Sequence, residues 1–358
     1  MGKSEKSSSG VLYRKYRPQT FDDVIGQEHI VKVLEGAVSL GNISHAYLFS
    51  GSRGTGKTSL ARILARAIGT SPNDLTEMDA ASNRGIDDIR DIRDSVNTLP
   101  FESKYKVYII DEVHMLTKDA WNAFLKTLEE PPAHVIFIMA TTELEKVPDT
   151  VVSRCQTFSF KKPNLSVLKD FALAIAKKEG ATLEVAAAEL VALLGDGSFR
   201  DAHGILEKVL TIRPASSAKA SAGQRKITRE EVETVTGAPK GELVKGILEA
   251  IVLKNLHTGL ACVAQAGDAN NDMKLFAKLI LERLRFLFLF RLKAGMDDYI
   301  SKQISEDDFK YLQGLALQAG PDLTADTLIK FIEAYENSGR TSIPELALEI
   351  ALANCIKI

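Results

Sequence analysis

Cysteine is scarce in this sequence, which has three cysteines, Cys155, Cys262 and Cys355, among its 358 residues. They lie far apart and form no C-x-x-C pair, so a zinc ribbon and a disulfide framework are both excluded. A reducing cytoplasm is the simplest setting for such a chain, and we expect a cytoplasmic protein.

Long apolar runs are also missing. The most apolar stretch, from Met273 to Gly295, is interrupted repeatedly by charged side chains. A membrane span needs about 20 predominantly apolar residues, so we expect a core or interface helix here instead. Residues 1–10 are polar and lack an apolar centre, which predicts a flexible tail and not a signal peptide.

Neither sign of charge is in excess, because 45 Lys and Arg oppose 47 Asp and Glu, for a net charge of −2. A nucleic-acid partner would therefore have to meet a local basic patch or a larger assembly. The hydrophobic fraction of 45% is that of an ordinary globular protein, and the length allows two or three domains.

One glycine-rich stretch matches the phosphate-binding pattern G-x-x-x-x-G-K-[ST] in full. A predicted strand at Ala46–Phe49 precedes it and a predicted helix at Ser59–Ile68 follows, which is the context that the motif requires. Backbone N–H groups at the start of a helix surround phosphate, Lys57 reaches the outer phosphates and the Thr58 hydroxyl ligates Mg²⁺. The predicted nucleotide-binding residues of this stretch are Gly51, Ser52, Arg53, Gly54, Thr55, Gly56, Lys57, Thr58 and Ser59.

A carboxylate pair follows the near-continuous apolar run Lys106–Ile110. Such a run is typical of a strand buried on both faces of a parallel sheet, and ligands bind at the carboxyl ends of such strands. We expect Asp111 to hold hydrated Mg²⁺ and Glu112 to orient and polarise the attacking water. His114, two residues further on, is more typical of a packed histidine than of a catalytic one.

Strands alternate with helices up to Pro163, and a further apolar strand at His134–Ala140 ends in Thr141 and Thr142. This alternation predicts a doubly wound parallel α/β domain at residues 11–163. Short helices without buried strands then predict a small helical domain at 164–238, with a mobile surface loop at Pro214–Gln224. Residues 239–358 are predicted to be helical throughout and to serve in assembly, so the fold class is α/β plus all-α.

Basic side chains occur at two places that could face an anion. A helix opened by Ser82 or Asn83 carries three arginines on its polar face, which is either an ordinary solvated face or a contact with a DNA phosphate backbone. Arg200 is predicted near a helix start, where the dipole does not favour a cation, and this hints at a partner of opposite charge. The weak candidate DNA contacts are Ser82, Asn83, Arg84, Arg90 and Arg93.

With these residues placed, the chain resembles the tau/gamma ATPase subunits of the bacterial DNA polymerase III clamp loader, a family of AAA+ proteins. The resemblance spans residues 11 to 202, and its most specific segments are Leu128–Pro132 and Ser153–Cys155. It implies a base-binding edge at Arg17, Pro18, Val24 and Ile25. It also implies that Thr142 is sensor 1, that Arg200 is sensor 2 and reaches the nucleotide from a lid domain, and that Arg154 is an arginine finger acting on a neighbouring subunit.

The resemblance also implies ATP and Mg²⁺ as cofactors, and as partners delta-like and delta-prime-like subunits in a hetero-pentamer, the sliding clamp and primer–template DNA. Two departures from the family pattern matter. A four-cysteine zinc module normally precedes the segment Asp79–Ser82, whereas here a short loop without cysteine leads to it, so we predict no zinc. The chain also stops after the predicted helical collar at 239–358, without the regions that bind helicase and polymerase in long family members.

Three alternatives stay open at this stage. Asp111–His114 fits the D-E-x-H box of helicases, although the second half of the chain offers no second nucleotide-gripping α/β domain. The chain could be a non-hydrolysing structural subunit, against which Lys57 and Glu112 both argue. It could also be an AAA+ branch-migration motor, although the predicted helical C-terminal region favours a pentameric collar.

Overall fold

The computed structural model describes residues 11–83, 85–211, 225–292, 295–320 and 323–356. The predicted N-terminal tail, the predicted loop from Pro214 and the candidate DNA contact Arg84 lie outside these residues. The chain divides into two compact units, of which the first comprises Met1–Leu168 with Gly195–Gly204 and the second Lys169–Leu194 with Ile205–Ile358.

A five-stranded sheet forms the centre of the first unit. Its order is β2-β3-β4-β1-β5 and all its neighbouring strands pair in parallel, as the alternation of strands and helices predicts. The strands are β1 (Ala46–Ser50), β2 (Leu75–Asp79), β3 (Lys106–Asp111), β4 (Val135–Thr141) and β5 (Gln156–Ser159).

The helices of the first unit cover both faces of this sheet. On one face α4 and α5 pack on a core that includes Tyr108, Phe124 and Phe137, and on the other α2 and α3 pack on Phe49 and Leu60. The central strands are buried on both sides for this reason, and their sequences are almost wholly apolar. The helices are α1 (Leu12–Lys15), α2 (Glu28–Leu40), α3 (Lys57–Ala67), α4 (Ile86–Ser95), α5 (Lys118–Glu129) and α6 (Asp149–Val152).

Helix α4 begins later than the sequence predicts. The prediction of a start at Ser82 or Asn83 is wrong, because the backbone N–H groups of both residues donate to the carbonyl of Asp79 and close a turn after β2. The N-terminal flanking residue of the helix is Gly85, whose N–H donates to the Asp88 carboxylate at 3.0 Å. A side-chain acceptor three residues into the helix thus sets the boundary.

The prediction that residues 164–238 contain no buried strands is also wrong. Two three-residue strands, β6 (Ala181–Leu183) and β7 (Arg225–Ile227), pair in parallel, and Ala181, Leu183 and Ile227 are buried. Segments this short show no periodicity that separates a strand from a loop. The helices of this region are α7 (Leu165–Lys178), α8 (Val185–Leu194), α9 (Phe199–Thr211) and α10 (Arg229–Thr236).

The rest of the second unit is helical, as predicted. Its longest helix, α13, buries Phe276, Phe286 and Leu287 completely, which agrees with the prediction of a core or interface helix in this apolar stretch. Among the described residues no helix is long and apolar enough to cross a membrane. The helices are α11 (Gly241–Leu253), α12 (Leu256–Asp268), α13 (Met273–Arg291), α14 (Asp297–Ser301), α15 (Glu306–Gln318), α16 (Ala325–Asn337) and α17 (Leu346–Cys355).

A buried ionic cluster joins helices of the second unit. The Arg283 guanidinium on α13 contacts the carboxylates of Glu189 on α8 at 3.1 Å and of Asp308 on α15 at 2.9 Å. Lys245 on α11 also reaches Asp308, at 3.2 Å. Burial raises the pKa of Glu189 to about 7, although the Arg283 charge acts in the opposite sense.

Replacement of Glu189 by Gln should therefore change how stability depends on pH. The ordinary pKa of Glu189 is 4.5 and its folded-state pKa is about 7, so the folded chain binds more protons between these values and its free energy of unfolding falls as pH rises. The side-chain amide that Glu189→Gln introduces stays uncharged over this pH range. We expect its Tm relative to the unsubstituted chain to increase from about pH 5 to about pH 8, by the equivalent of at most about 3 kcal/mol.

Thermal unfolding followed by circular dichroism measures this difference. Glu242→Gln, which removes a carboxylate from an exposed position at the start of α11, is the matched control and should show a flat difference. A flat difference for Glu189→Gln as well would contradict the prediction.

Candidate nucleotide-binding site

The glycine-rich stretch forms a tight turn between β1 and α3. Gly51 and Gly54 have φ values of 141° and 74°, in the left-handed region that side chains disfavour. A Cβ atom on Gly51 would lie 2.6 Å from the carbonyl oxygen of Phe160, and one on Gly54 would collide with Ser198. Both positions therefore require glycine for backbone conformation and for space.

Lys57 is the first residue of α3, and its ammonium group lies inside this turn. Its Nζ donates to the carbonyl oxygens of Gly51 at 2.6 Å and Ser52 at 2.9 Å, and the residue is only 5% exposed. Burial lowers the pKa of Lys57, while the carboxylates of Glu112 and Asp111 act in the opposite sense. An ammonium has three donors, so Lys57 can give its third hydrogen to a phosphate oxygen.

The Thr58 hydroxyl and the Asp111 carboxylate meet beside this lysine. Thr58 Oγ1 donates to Asp111 Oδ2 at 2.6 Å, and the other carboxylate oxygen accepts the backbone N–H of Glu112 at 3.0 Å. A hydroxyl and a carboxylate are hard oxygen ligands of the kind that Mg²⁺ prefers together with water and phosphate. These two residues therefore fit the predicted magnesium site.

Glu112 follows β3 in an unusual backbone conformation. Its φ of 48° is left-handed, which costs a non-glycine residue of order 1 kcal/mol and is common at functional sites. The Thr142 hydroxyl, just after β4, donates to Glu112 Oε2 at 3.0 Å. The adjacent strands β3 and β4 thus bring Glu112, which is predicted to act on the attacking water, to Thr142, the predicted sensor 1.

His114 was expected to be a packing residue, and sequence reasoning missed its contacts. Its side chain is 5% exposed, its Nδ1 lies 3.0 Å from Thr141 Oγ1, and its Nε2 lies 3.2 Å from Glu143 Oε1. It belongs to a short 3-10 turn, Val113–Met115, between β3 and α5. One signal in the sequence could have indicated these contacts. His114 follows the end of one predicted apolar strand, and Thr141 and Thr142 follow the end of the next.

Arg200 is the second residue of α9, close to a helix start as predicted. The backbone N–H of Phe199 donates to the carbonyl of Gly54 at 3.0 Å, which ties this helix start to the glycine-rich turn. The guanidinium of Arg200 lies over the Tyr13 ring, 5.9 Å from its centroid, and its charge contributes to the lowered pKa of Lys57 after the larger effect of burial.

The four residues predicted for the base-binding edge lie in the segment between α1 and α2. Val24 packs against the core formed by β1 and α3, whereas Ile25 is 46% exposed. Arg17 and Pro18 are half-buried, and the carbonyl of Arg17 accepts from the Gln19 side chain at 2.8 Å.

Arg154 is placed differently from the other predicted site residues. Its guanidinium contacts Glu129 at 2.8 Å, at the end of α5, and the carbonyl of Thr150 at 2.6 Å, on α6. The side chain is 36% exposed. These contacts do not include the glycine-rich turn, Asp111 or Glu112.

The described candidate DNA contacts fall into two groups. Ser82 and Asn83 belong to the turn after β2, whereas Arg90 and Arg93 lie on α4 and pair there with Asp87 at 2.8 Å and Asp94 at 3.3 Å. These pairs are exposed, as on an ordinary solvated helix face. Among the described residues no cluster of three or more His, Cys, Asp or Glu side chains is arranged to hold a metal.

This chain is similar to a known sequence family and to individual subunits of DNA polymerase III. A family model described as DNA polymerase III, delta subunit, matches residues 70–164. The tau subunit of Bacillus subtilis DNA polymerase III is 36% identical over 95% of this chain, which spans 62% of that subunit. The gamma subunit of Buchnera aphidicola is 38% identical over 77% of this chain and 77% of its own length.

Solved structures give the same fold. The Thermotoga maritima RuvB Holliday junction branch migration motor matches 66% of this chain and 79% of its own length, with a TM-score of 0.52 and 24% identity. At that identity the likeness establishes the fold alone. The sequence identity to the tau and gamma subunits establishes the family as well as the fold. The chain belongs to the gamma/tau family of DNA polymerase III subunits.

Proposed function

We propose that this chain is an ATP-binding and ATP-hydrolysing motor subunit of a replicative clamp loader. The observation that carries the proposal is the convergence of Lys57, Thr58, Asp111, Glu112 and Thr142 at one edge of the parallel sheet. Membership of the gamma/tau family supports the clamp loader as the assembly in which this ATPase works.

Each residue of the site has a role that follows from its contacts. The N–H groups of the glycine-rich turn and Lys57 bind the phosphates of ATP. Thr58 and Asp111 hold Mg²⁺, which when bound neutralises charge on the outer phosphates. Glu112 accepts a hydrogen bond from the attacking water and orients it, while the Thr142 hydroxyl keeps the Glu112 carboxylate in place.

Two arginines complete the site in this proposal. Arg200 acts as sensor 2, since the Phe199–Gly54 hydrogen bond and the Tyr13 ring hold its helix start beside the glycine-rich turn. Arg154 acts as the finger of a neighbouring subunit. Its exposure and its contacts away from the Lys57 site support action in trans. An isolated chain should then hydrolyse ATP poorly.

The proposed domains and partners are those of the gamma/tau family. A nucleotide-binding domain at 11–163, a lid at 164–238 and a collar at 239–358 assemble with delta-like and delta-prime-like subunits into a hetero-pentamer. ATP binding closes the site against the neighbouring subunit, the assembly opens the sliding clamp for primer–template DNA, and hydrolysis releases the clamp. We propose ATP and Mg²⁺ as cofactors and no zinc.

The structural-subunit and branch-migration alternatives are less well supported. A non-hydrolysing structural subunit has no use for Lys57 and Glu112 in the geometry described above. A branch-migration motor shares the fold, so fold similarity does not separate the two motors, but the seven helices α11–α17 suit a collar better. Native mass spectrometry of the assembly distinguishes a pentamer from a hexamer.

Replacement of Glu112 by Gln should separate nucleotide binding from hydrolysis. The amide keeps the hydrogen bond to Thr142 but is a far weaker base, so we expect ATP affinity to persist while turnover falls by about 10²–10⁴. Turnover of radiolabelled ATP by the assembled complex, with clamp and primed DNA, measures this. Glu145→Gln removes an exposed carboxylate nearby and should leave turnover unchanged. Normal turnover with Glu112→Gln would exclude the proposed role of Glu112.

Replacement of Arg154 by Ala tests action in trans. Because Arg154 does not contact the site of its own chain, we expect unchanged ATP affinity and loss of DNA-stimulated hydrolysis in the assembly, by about 10³–10⁵ if it is a finger. Arg62→Ala is the matched control, since Arg62 forms a comparable ion pair with Glu77 at 2.5 Å. Equal turnover for both variants would refute the finger assignment.

Charge reversal at Arg90 and Arg93 tests the weaker proposal of a DNA contact. If both bind phosphate, the double variant should reduce DNA stimulation of the ATPase and lower the salt dependence of DNA affinity, by a slope of roughly 0.9 per lost contact. Lys310→Glu with Lys330→Glu is the control, because both lysines pair with acids on their own helices. No difference from this control would favour the solvated face.

A further inference from the structure

His114 is hydrogen-bonded on both sides of its ring. Thr141 Oγ1 accepts the backbone N–H of Glu143 at 3.0 Å and forms a hydrogen bond with His114 Nδ1, also at 3.0 Å. The Nε2 atom faces Glu143 Oε1 at 3.2 Å, where only an N–H donor fits an ionised carboxylate. This contact calls for a proton on Nε2.

The acceptor of this proton is itself paired with a lysine. Lys146 Nζ lies 2.7 Å from Glu143 Oε2, and the hydrogen bond from Lys146 lowers the pKa of Glu143. Glu143 therefore remains an acceptor at neutral pH. One ring nitrogen of His114 is thus tied to Thr141 and the other to Glu143, on the two sides of Thr142.

The same ring lies beside Glu112. His114 Nδ1 is 3.5 Å from Glu112 Oε2, the oxygen that accepts from Thr142. His114 thereby connects the strand end that carries Glu112 to the strand end that carries Thr142.

We propose that His114 is a positioning residue of the ATPase site, which holds the Thr141–Glu143 turn in register with Glu112. The inference rests on the proposed function, because it concerns the hydrolytic step at that site. A packing histidine would need only its shape. A positioning histidine needs both ring nitrogens, and this difference can be measured.

The experiment compares steady-state ATP hydrolysis by the assembled complex carrying His114→Ala, His114→Asn or His114→Gln. Asn retains a hydrogen-bonding group near the place of Nδ1, and Gln retains a donor near the place of Nε2. We expect His114→Ala to lower kcat by about tenfold or more with KM for ATP within about twofold, and the two amides to recover part of kcat. Circular dichroism melts check that each variant folds.

Two further variants sharpen the result. His134→Ala removes another histidine with a hydrogen bond, 3.0 Å from the carbonyl of Val96, just before β4 and away from the site end of that strand, and should leave kcat unchanged. Thr141→Val removes the hydroxyl partner. If His114 acts through this turn, His114→Ala should lower kcat much less in the Thr141→Val background than alone.

The outcomes are distinct. A selective loss of kcat with partial recovery by Asn or Gln supports the proposal. Unchanged kcat in His114→Ala, an equal loss in His134→Ala, or a rise in KM alone overturns it and leaves the proposed ATPase function intact. Nucleotide binding without any hydrolysis by the unsubstituted complex overturns the proposed function and, with it, the role of His114.

Discussion

Parallel alignment of β1, β3 and β4 is the constraint on which the candidate site depends. In a parallel sheet all carboxyl ends lie at one edge, and the register here pairs Ser50 with Thr141 and Ile110 with Met139. The residues that follow these pairs are the glycine-rich turn, the acids Asp111 and Glu112, and the second threonine, Thr142. A change of strand direction or order would separate them, since no local interaction links segments this far apart in sequence.

Burial of Lys57 shows how the site balances charge. An ammonium at 5% exposure carries a desolvation cost, and this explains the direction of its lowered pKa. Two backbone carbonyls at 2.6 and 2.9 Å and two nearby carboxylates offset part of that cost. The arrangement suits a highly charged ligand, because triphosphate brings further negative charge to a lysine already held in place, with little side-chain entropy left to lose.

Much of this fold was predictable because its signals are long or chemically specific. The long apolar runs of β3 and β4 indicate strands in a sheet that helices cover on both faces. The glycine-rich motif requires a strand before it and a helix after it. The exposed edge strand β5, with the sequence Gln-Thr-Phe-Ser, was not predicted, because an edge strand needs no apolar pattern. The orientation of His114 depends on hydrogen bonds to a strand 27 residues away, which sequence spacing does not encode.

The position of Arg154 bears on the role proposed for it in a neighbouring subunit. Its ion pair with Glu129 is exposed on both sides, at 36% and 49%, and exposed pairs contribute only about 0–1 kcal/mol. Arg154 can therefore leave Glu129 at small cost if a more negative partner is presented by a neighbouring subunit. Lys57 lacks this freedom, since its two carbonyl partners and its burial hold it in one place. The fixed cation thus suits ground-state binding of ATP, whereas the releasable one suits a contact that forms only on assembly.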